Sequence, residues 1–235
     1  ENTARRLMSY AKTQGKSRAV IVYPQNVEGE FGRVALQRAA SEVGIEIISA
    51  QGFTFTPQGV VDAVKPIKTA VLNGNADLMI LTSTSAGALP MLAQLLPEAG
   101  INPATVQYAG LARWDIPPQT LALPGLQNGW FAMPDYGRTK NFAERYEVAY
   151  GAKPHQLASL AYDGIAAIGA LVAAGKANAL SAEELTQPAG FEGVDGIFRL
   201  NKNGTNERGL AIAEVKEQQV HIIDAAPRSF TFSGF

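Results

Sequence analysis

"RAVIVYPQNVEGEFGRVALQRAASEVGIEIIS", residues 18–49, sets the architecture. Residues 18–24 are a β-branched apolar run closed by Pro24, the pattern of a strand buried on both faces. Phe31, Val34, Ala35, Arg38, Ala39 and Val43 then recur at spacings of three and four, a helical period, and Gly44 stands where a left-handed C-cap belongs. "IEIIS" (45–49) is a second strand. Strand, helix and strand in so short a span predict two parallel strands joined by a crossover helix.

The same alternation extends along the chain. Thr56-Pro57 offers an N-cap followed by proline at the first helical position, opening a helix that Pro66 should kink or split. "ADLMILTST" (76–84), "TVQYAGL" (105–111) and "NGWFAMP" (128–134) are further strands, and residues 86–99 have helical periodicity. "RWDIPPQTLALPG" (113–125) is a proline-rich loop, and two helices follow it. Before the first strand, Leu7, Met8, Tyr10 and Ala11 put an apolar stripe on a charged helix, so the chain begins as if inside an architecture from which earlier residues are missing. The fold class is therefore α/β, a mostly parallel Rossmann-like sheet with helices on both faces.

Residues 191–212 depart from this rhythm. The runs Ile197–Leu200 and Leu210–Val215 read as short strands around a polar loop, with Asn203-Gly204 as its turn signal, hence a carboxy-terminal β-hairpin.

Composition excludes several function classes. Twenty basic against twenty-one acidic residues lack the cationic excess that nucleic-acid binding needs. The absence of cysteine removes disulfides, thiolate metal sites and a cysteine nucleophile. No apolar run reaches the roughly 18 residues of a membrane span; "LASLAYDGIAAIGALVAAG" (157–175) contains Asp163 and reads as a buried helix presenting Leu157, Leu160, Ala161, Ile165, Ile168 and Leu171 on one face.

No nucleophile elbow, P-loop, dinucleotide fingerprint or zinc-protease motif is present, so no cofactor or metal is expected and the chain reads as a non-enzyme. His155 follows Pro154 at a helix start and His221 alternates with Val220 and Ile222, both structural settings. Asp115, Asp135, Asp163 and Asp195 lie near element ends, where caps are commoner than catalytic pairs.

Parallel sheets bind ligands at the carboxyl ends of their strands. The polar and aromatic residues there are Tyr23 after the first strand, Thr82, Ser83, Thr84 and Ser85 after the third, Arg113, Trp114 and Asp115 after the fourth, and Asp135 and Tyr136 after the fifth. Trp114, flanked by charges in a proline-rich loop, is expected to be exposed and to line a cleft or meet a partner.

The runs at 17–47, 76–101, 129–135, 157–175 and 193–215 together resemble, in order, the type I periplasmic binding proteins of the Leu/Ile/Val-binding class, with Phe31-Gly32 as the aromatic-glycine pair that opens the helix after the first strand. The resemblance implies two Rossmann-like lobes joined by a hinge, with a small polar or amino-acid-like solute held between them for the membrane permease of an ABC-type transporter. It implies a periplasmic location and an absent amino-terminal third. Residues 1–135 would form lobe two, 136–195 helices crossing back toward lobe one, and 196–235 the hairpin and terminal strand near the hinge.

Amino-acid-binding members place an acid after the fourth strand and an aromatic after the third; this chain has Leu111 or Ala112 and Thr84 or Ser85 there, leaving Asp115 as the acid that could substitute. "GWFAMPD", "LAYDGIAA", the hairpin and "APRSF" also resemble the penicillin-binding protein activators. That branch implies a lipoprotein, lipid-anchored through a missing amino terminus, whose partner is a penicillin-binding protein; Trp114 and the proline-rich loop would then be partner surface.

Overall fold

The structure, a computed structural model, describes residues 1–175 and 178–230. Lys176 and Ala177, within the expected 136–195 segment, and residues 231–235, the end of the expected closing segment, lie outside the described residues. The chain divides into two compact units: residues 1–132 with 212–223, and residues 133–211 with 224–235.

Unit 1 begins with helix α1 (Asn2–Thr13), whose Leu7, Met8, Tyr10 and Ala11 are buried. Strand β1 (Arg18–Pro24) and helix α2 (Val27–Val43) follow, and α2 closes on Gly44 in the left-handed conformation, φ +71°. Next come β2 (Glu46–Phe53), α3 (Pro57–Asn73), β3 (Leu78–Leu81), α4 (Leu89–Glu98), β4 (Gln107–Gly110), two 3-10 turns (Pro118–Ala122 and Pro124–Leu126) and β5 (Trp130–Met133). Pro66 does not split α3: one helix runs from Pro57 to Asn73, capped by the Thr56 hydroxyl, which accepts from Gly59 N at 3.0 Å.

The strands that the apolar runs predict pair in parallel, β1 with β2 and β3, β3 with β4, and β4 with β5. The inner strands β1, β3, β4 and β5 are largely buried, as their apolar runs require, whereas β2 at the sheet edge is half-buried and carries Ser49 and Gln51 among its residues. The final hairpin strands β9 (Ala211–Lys216) and β10 (Gln219–Asp224) complete a sheet of order β10-β9-β5-β4-β3-β1-β2. Glu217 and Gln218 join β9 to β10 with φ +52° and +62°, the conformation a two-residue hairpin turn demands.

Unit 2 carries helices α5 (Tyr136–Tyr150), α6 (Ala158–Ala173) and α7 (Ala182–Leu185) and a separate antiparallel sheet of β6 (Phe191–Gly193), β7 (Gly196–Leu200) and β8 (Asn206–Arg208). The hairpin at 196–208 is present, but its partner differs from the expected one. Strand β7 pairs with Asn206–Arg208, through Phe198↔Arg208 and Leu200↔Asn206, and residues 211–216 join the larger sheet instead. Gly204 at φ +81° turns the chain tightly enough to close the strands directly across the loop.

Helix α6 is also oriented differently from the expectation. Leu157, Leu160, Ile165 and Ile168 are exposed, and the helix buries Ser159, Asp163, Ala167 and Leu171. Polar bonding decides the orientation. The Asp163 carboxylate accepts from Val194 N at 2.7 Å and pairs with Arg208 at 3.0 Å, and the Ser159 hydroxyl donates to Asp195 at 2.5 Å.

Candidate functional site

In unit 1, β1 feeds β2 on one side while β3, β4 and β5 step away on the other. The direction of winding therefore reverses between β1 and β3, and the carboxyl ends of those two strands border a topological switch point, the usual ligand crevice of an open α/β sheet.

Two loops on this rim are built alike. After β1, Asn26 N donates to Pro24 O at 2.9 Å, making a γ-turn with Gln25 at its apex, and Asn26 then caps α2 by accepting from Gly29 N at 2.8 Å. After β2, Thr56 N donates to Thr54 O at 2.7 Å, placing Phe55 at the apex, and Thr56 caps α3 on Gly59 N. Each glycine lies so close to the turn that a Cβ would strike the carbonyl of Pro24 or Thr54.

Tyr23 is half-buried, with the Arg33 guanidinium 5.7 Å from its ring centroid. Burial first, and the Glu30 carboxylate second, push its phenol above the ordinary value, with Arg33 opposing. After β3, Thr82 and Ser83 are buried, and Thr84 holds the following turn through its carbonyl, which accepts from Gly87 N at 3.0 Å and Leu89 N at 3.3 Å. The Ser85 hydroxyl donates to Ile116 O at 2.6 Å and so ties the third-strand loop to the fourth.

Among the described residues, three buried side-chain polar atoms lack a hydrogen-bond partner: Thr82 Oγ1, Ser83 Oγ and Trp114 Nε1. All three follow the carboxyl ends of β3 and β4. Leaving such a group unpaired costs about 1–3 kcal/mol.

Trp114 is not exposed. It is fully buried, tilted against Phe131 at 6.1 Å between ring centroids, in space left by Gly110 and Gly129, where a Cβ would collide with the indole. Its flanking charges do not pull it to solvent because Arg113 and Asp115 satisfy each other: Arg113 Nε donates to Asp115 Oδ1 at 2.9 Å and Nη2 to Oδ2. Trp114 is therefore core, neither cleft lining nor partner surface, and the Asp115 carboxylate is already engaged by a guanidinium.

Asp135 and Tyr136 belong to unit 2. Asp135 caps α5 by accepting from Arg138 N at 3.1 Å, and its own N–H donates to Asp195 O at 3.1 Å; Tyr136 is exposed. The rim also carries two aromatics absent from the sequence-level site, Phe31 and Phe55, 73% and 54% exposed. Large exposed phenyl rings beside strand ends are the signal. For Phe31 it was legible as the residue before Gly32, whose Cβ would lie 3.0 Å from Leu111 and 3.3 Å from Thr82.

His155 accepts from Leu157 N at 3.2 Å before α6, and His221 is exposed. Among the described residues, no cluster of histidine or acidic side chains could hold a metal ion, and no helix is long and apolar enough to cross a membrane.

The family model for periplasmic binding proteins matches residues 1–219. The chain belongs to this family. No curated protein matches it. Among solved structures, it is similar to a branched-chain amino acid ABC transporter periplasmic ligand-binding protein from Burkholderia xenovorans, with TM-score 0.76, 18% identity, 96% of this chain and 63% of that one. An ABC transporter substrate-binding protein from Desulfitobacterium hafniense, in complex with Leu, has TM-score 0.68 and 20% identity over 94% and 64%. A solute binding protein of an R. palustris ABC transporter, in complex with benzoate, has TM-score 0.67 and 17% identity over 97% and 63%. At these identities the likeness is one of fold, and the chain spans less than two thirds of each structure's length.

Proposed function

We propose that the chain is a non-catalytic, periplasmic solute-binding component of an ABC-type importer, which takes a small polar or amino-acid-like solute at the carboxyl rim of unit 1 and delivers it to a membrane permease. Unit 1 is on this reading the family's second lobe. The observation that carries it is the pair of unpaired buried hydroxyls, Thr82 Oγ1 and Ser83 Oγ, directly after β3 beside a switch point. A solute oxygen could satisfy Ser83 from the rim, with Tyr23 and Thr84 beside it. The solved structures holding Leu and benzoate support a carboxylate-bearing solute as the first class to try.

Thermal-shift screening of the protein against amino acids and organic acids tests this directly. A solute at 100 times its Kd adds about 2.7 kcal/mol of stability. Ser83→Ala removes one hydrogen bond to the solute, worth about 1.5–3 kcal/mol if the acceptor is charged, and so weakens binding tenfold or more. Because the variant also deletes an unpaired buried hydroxyl, the ligand-free melting temperature should hold or rise. Unchanged affinity in Ser83→Ala would remove this rim as the site.

A further inference from the structure

We infer that Phe55 is a specificity-determining residue of the rim, selecting solutes that join an apolar aryl or branched-alkyl group to a carboxylate. This rests on the solute-binding reading of the same rim. The two loops that follow β1 and β2 share a γ-turn, an Asn or Thr cap and a tightly packed glycine, but they present different side chains at the apex: the amide of Gln25 in one, the phenyl of Phe55 in the other. The second apex is fixed on both sides, by the Thr56 N–H bond to Thr54 O and by the Thr56 cap on Gly59 N. A side chain held by backbone bonds in this way can read ligand shape at little entropic cost.

The ring reaches the loop that carries the hydroxyls. A Cβ on Gly87 would lie 3.3 Å from Phe55 Cε2 and 3.4 Å from Thr84 Oγ1, so the edge of the phenyl and the Thr84 hydroxyl flank one point on the rim. Glycine at 87 gives the ring room there; a Cβ would press on its edge by a few tenths of an ångström. A residue placed just before a helix N-cap can instead act as a hydrophobic staple against the fourth helical residue, here Val60. Such a staple hides its ring, whereas Phe55 keeps 54% of its surface in solvent. The acid that follows β4, Asp115, is bound to Arg113, which leaves the solute's apolar part and not an ammonium as the feature to be recognised here.

Isothermal titration with benzoate, phenylacetate and isovalerate as apolar probes, and acetate, glycine and glutamate as small or polar ones, tests the inference in the wild-type protein and in Phe55→Ala, Phe55→Leu and Ser83→Ala. At least one apolar probe should bind, weakened tenfold or more by Phe55→Ala and severalfold by Phe55→Leu, with melting temperatures of the ligand-free variants unchanged. Phe55→Leu keeps an apolar residue before the cap, so it guards against a merely unfolded Phe55→Ala. Apolar probes that bind equally well to both Phe55 variants, or polar probes that bind in preference to apolar ones, would overturn the role of Phe55 while leaving solute binding intact. If no probe binds, or if binding ignores Ser83→Ala, the rim itself is not the site and the inference falls with the reading on which it rests.

Discussion

Tyr108 shows how a single core residue couples stability to pH. Its side chain on β4 is fully buried, and the hydroxyl donates to Ile101 O at 2.7 Å. Burial pushes the phenol well above its ordinary value, because the charged phenolate would be stranded in an apolar interior. The folded state therefore holds the proton more tightly than the unfolded one. The stability this confers is whole below the unfolded value of about 10 and drains away as pH rises from there toward the raised folded value. Tyr108→Phe should cost about 1 kcal/mol at neutral pH, where it orphans the Ile101 carbonyl, yet abolish this alkaline loss. Urea denaturation at pH 7 and above pH 10 should show the wild-type advantage shrinking; a constant gap would mean that the phenol does not govern the alkaline limb. Trp114 teaches the opposite lesson at the same scale. Two flanking charges make it look exposed, but they neutralise each other, and the space that accepts the indole comes from Gly110 and Gly129, residues that sequence spacing cannot bring together.

At the scale of elements, the inner parallel strands were legible because each holds an apolar run short enough to cross the sheet once, while edge strand β2 runs on past its apolar residues to Phe53; the helices between them were legible because caps such as Thr56 and Gly44 bracket a 3.6-residue period. Strand β8 was not, since Asn206, Glu207 and Arg208 carry no apolar residue and read as loop. An edge strand needs no hydrophobic face when its side chains are paired, and here Arg199 meets Glu207 at 2.6 Å while Arg208 stacks on Phe198 at 5.0 Å and reaches Asp163. That last pair joins β8 to α6 through a carboxylate only 1% exposed. Arg208→Leu leaves the buried Asp163 charge without its guanidinium, held by Val194 N–H, and should cost about 3–5 kcal/mol. Adding Asp163→Leu should recover most of that loss, because two apolar residues then replace a desolvated ion pair. Chemical denaturation of the single and double variants checks both steps; a single variant that costs under 1 kcal/mol would reduce the pair to a surface contact.

For the whole molecule, the chain crosses between its two units three times, at Ala132/Met133, Ala211/Ile212 and Ile223/Asp224. The rim of unit 1 was readable as a class of place, the carboxyl ends of parallel strands, whereas its particular members depended on which hydroxyls the fold leaves unpaired. Unit 2 carries the largest departure from the sequence reading. Helix α6 turns Ser159 and Asp163 inward to meet Asp195 and Arg208, and the apolar residues that composition would bury face solvent: Ile165 is 71% exposed and Val172 58%. With Leu157, Leu160 and Ile168 they make the kind of contiguous apolar surface that monomeric proteins seldom leave open. In this chain, replacing Ile165 and Val172 together by lysine removes no buried contact of consequence. Melting and denaturation should therefore stay within about 0.5 kcal/mol of wild type for each site, while binding of a hydrophobic dye and concentration-dependent light scattering both fall. A loss of 2 kcal/mol or more would instead mean that the face is packed in solution, and the exposed orientation of α6 would have to be given up.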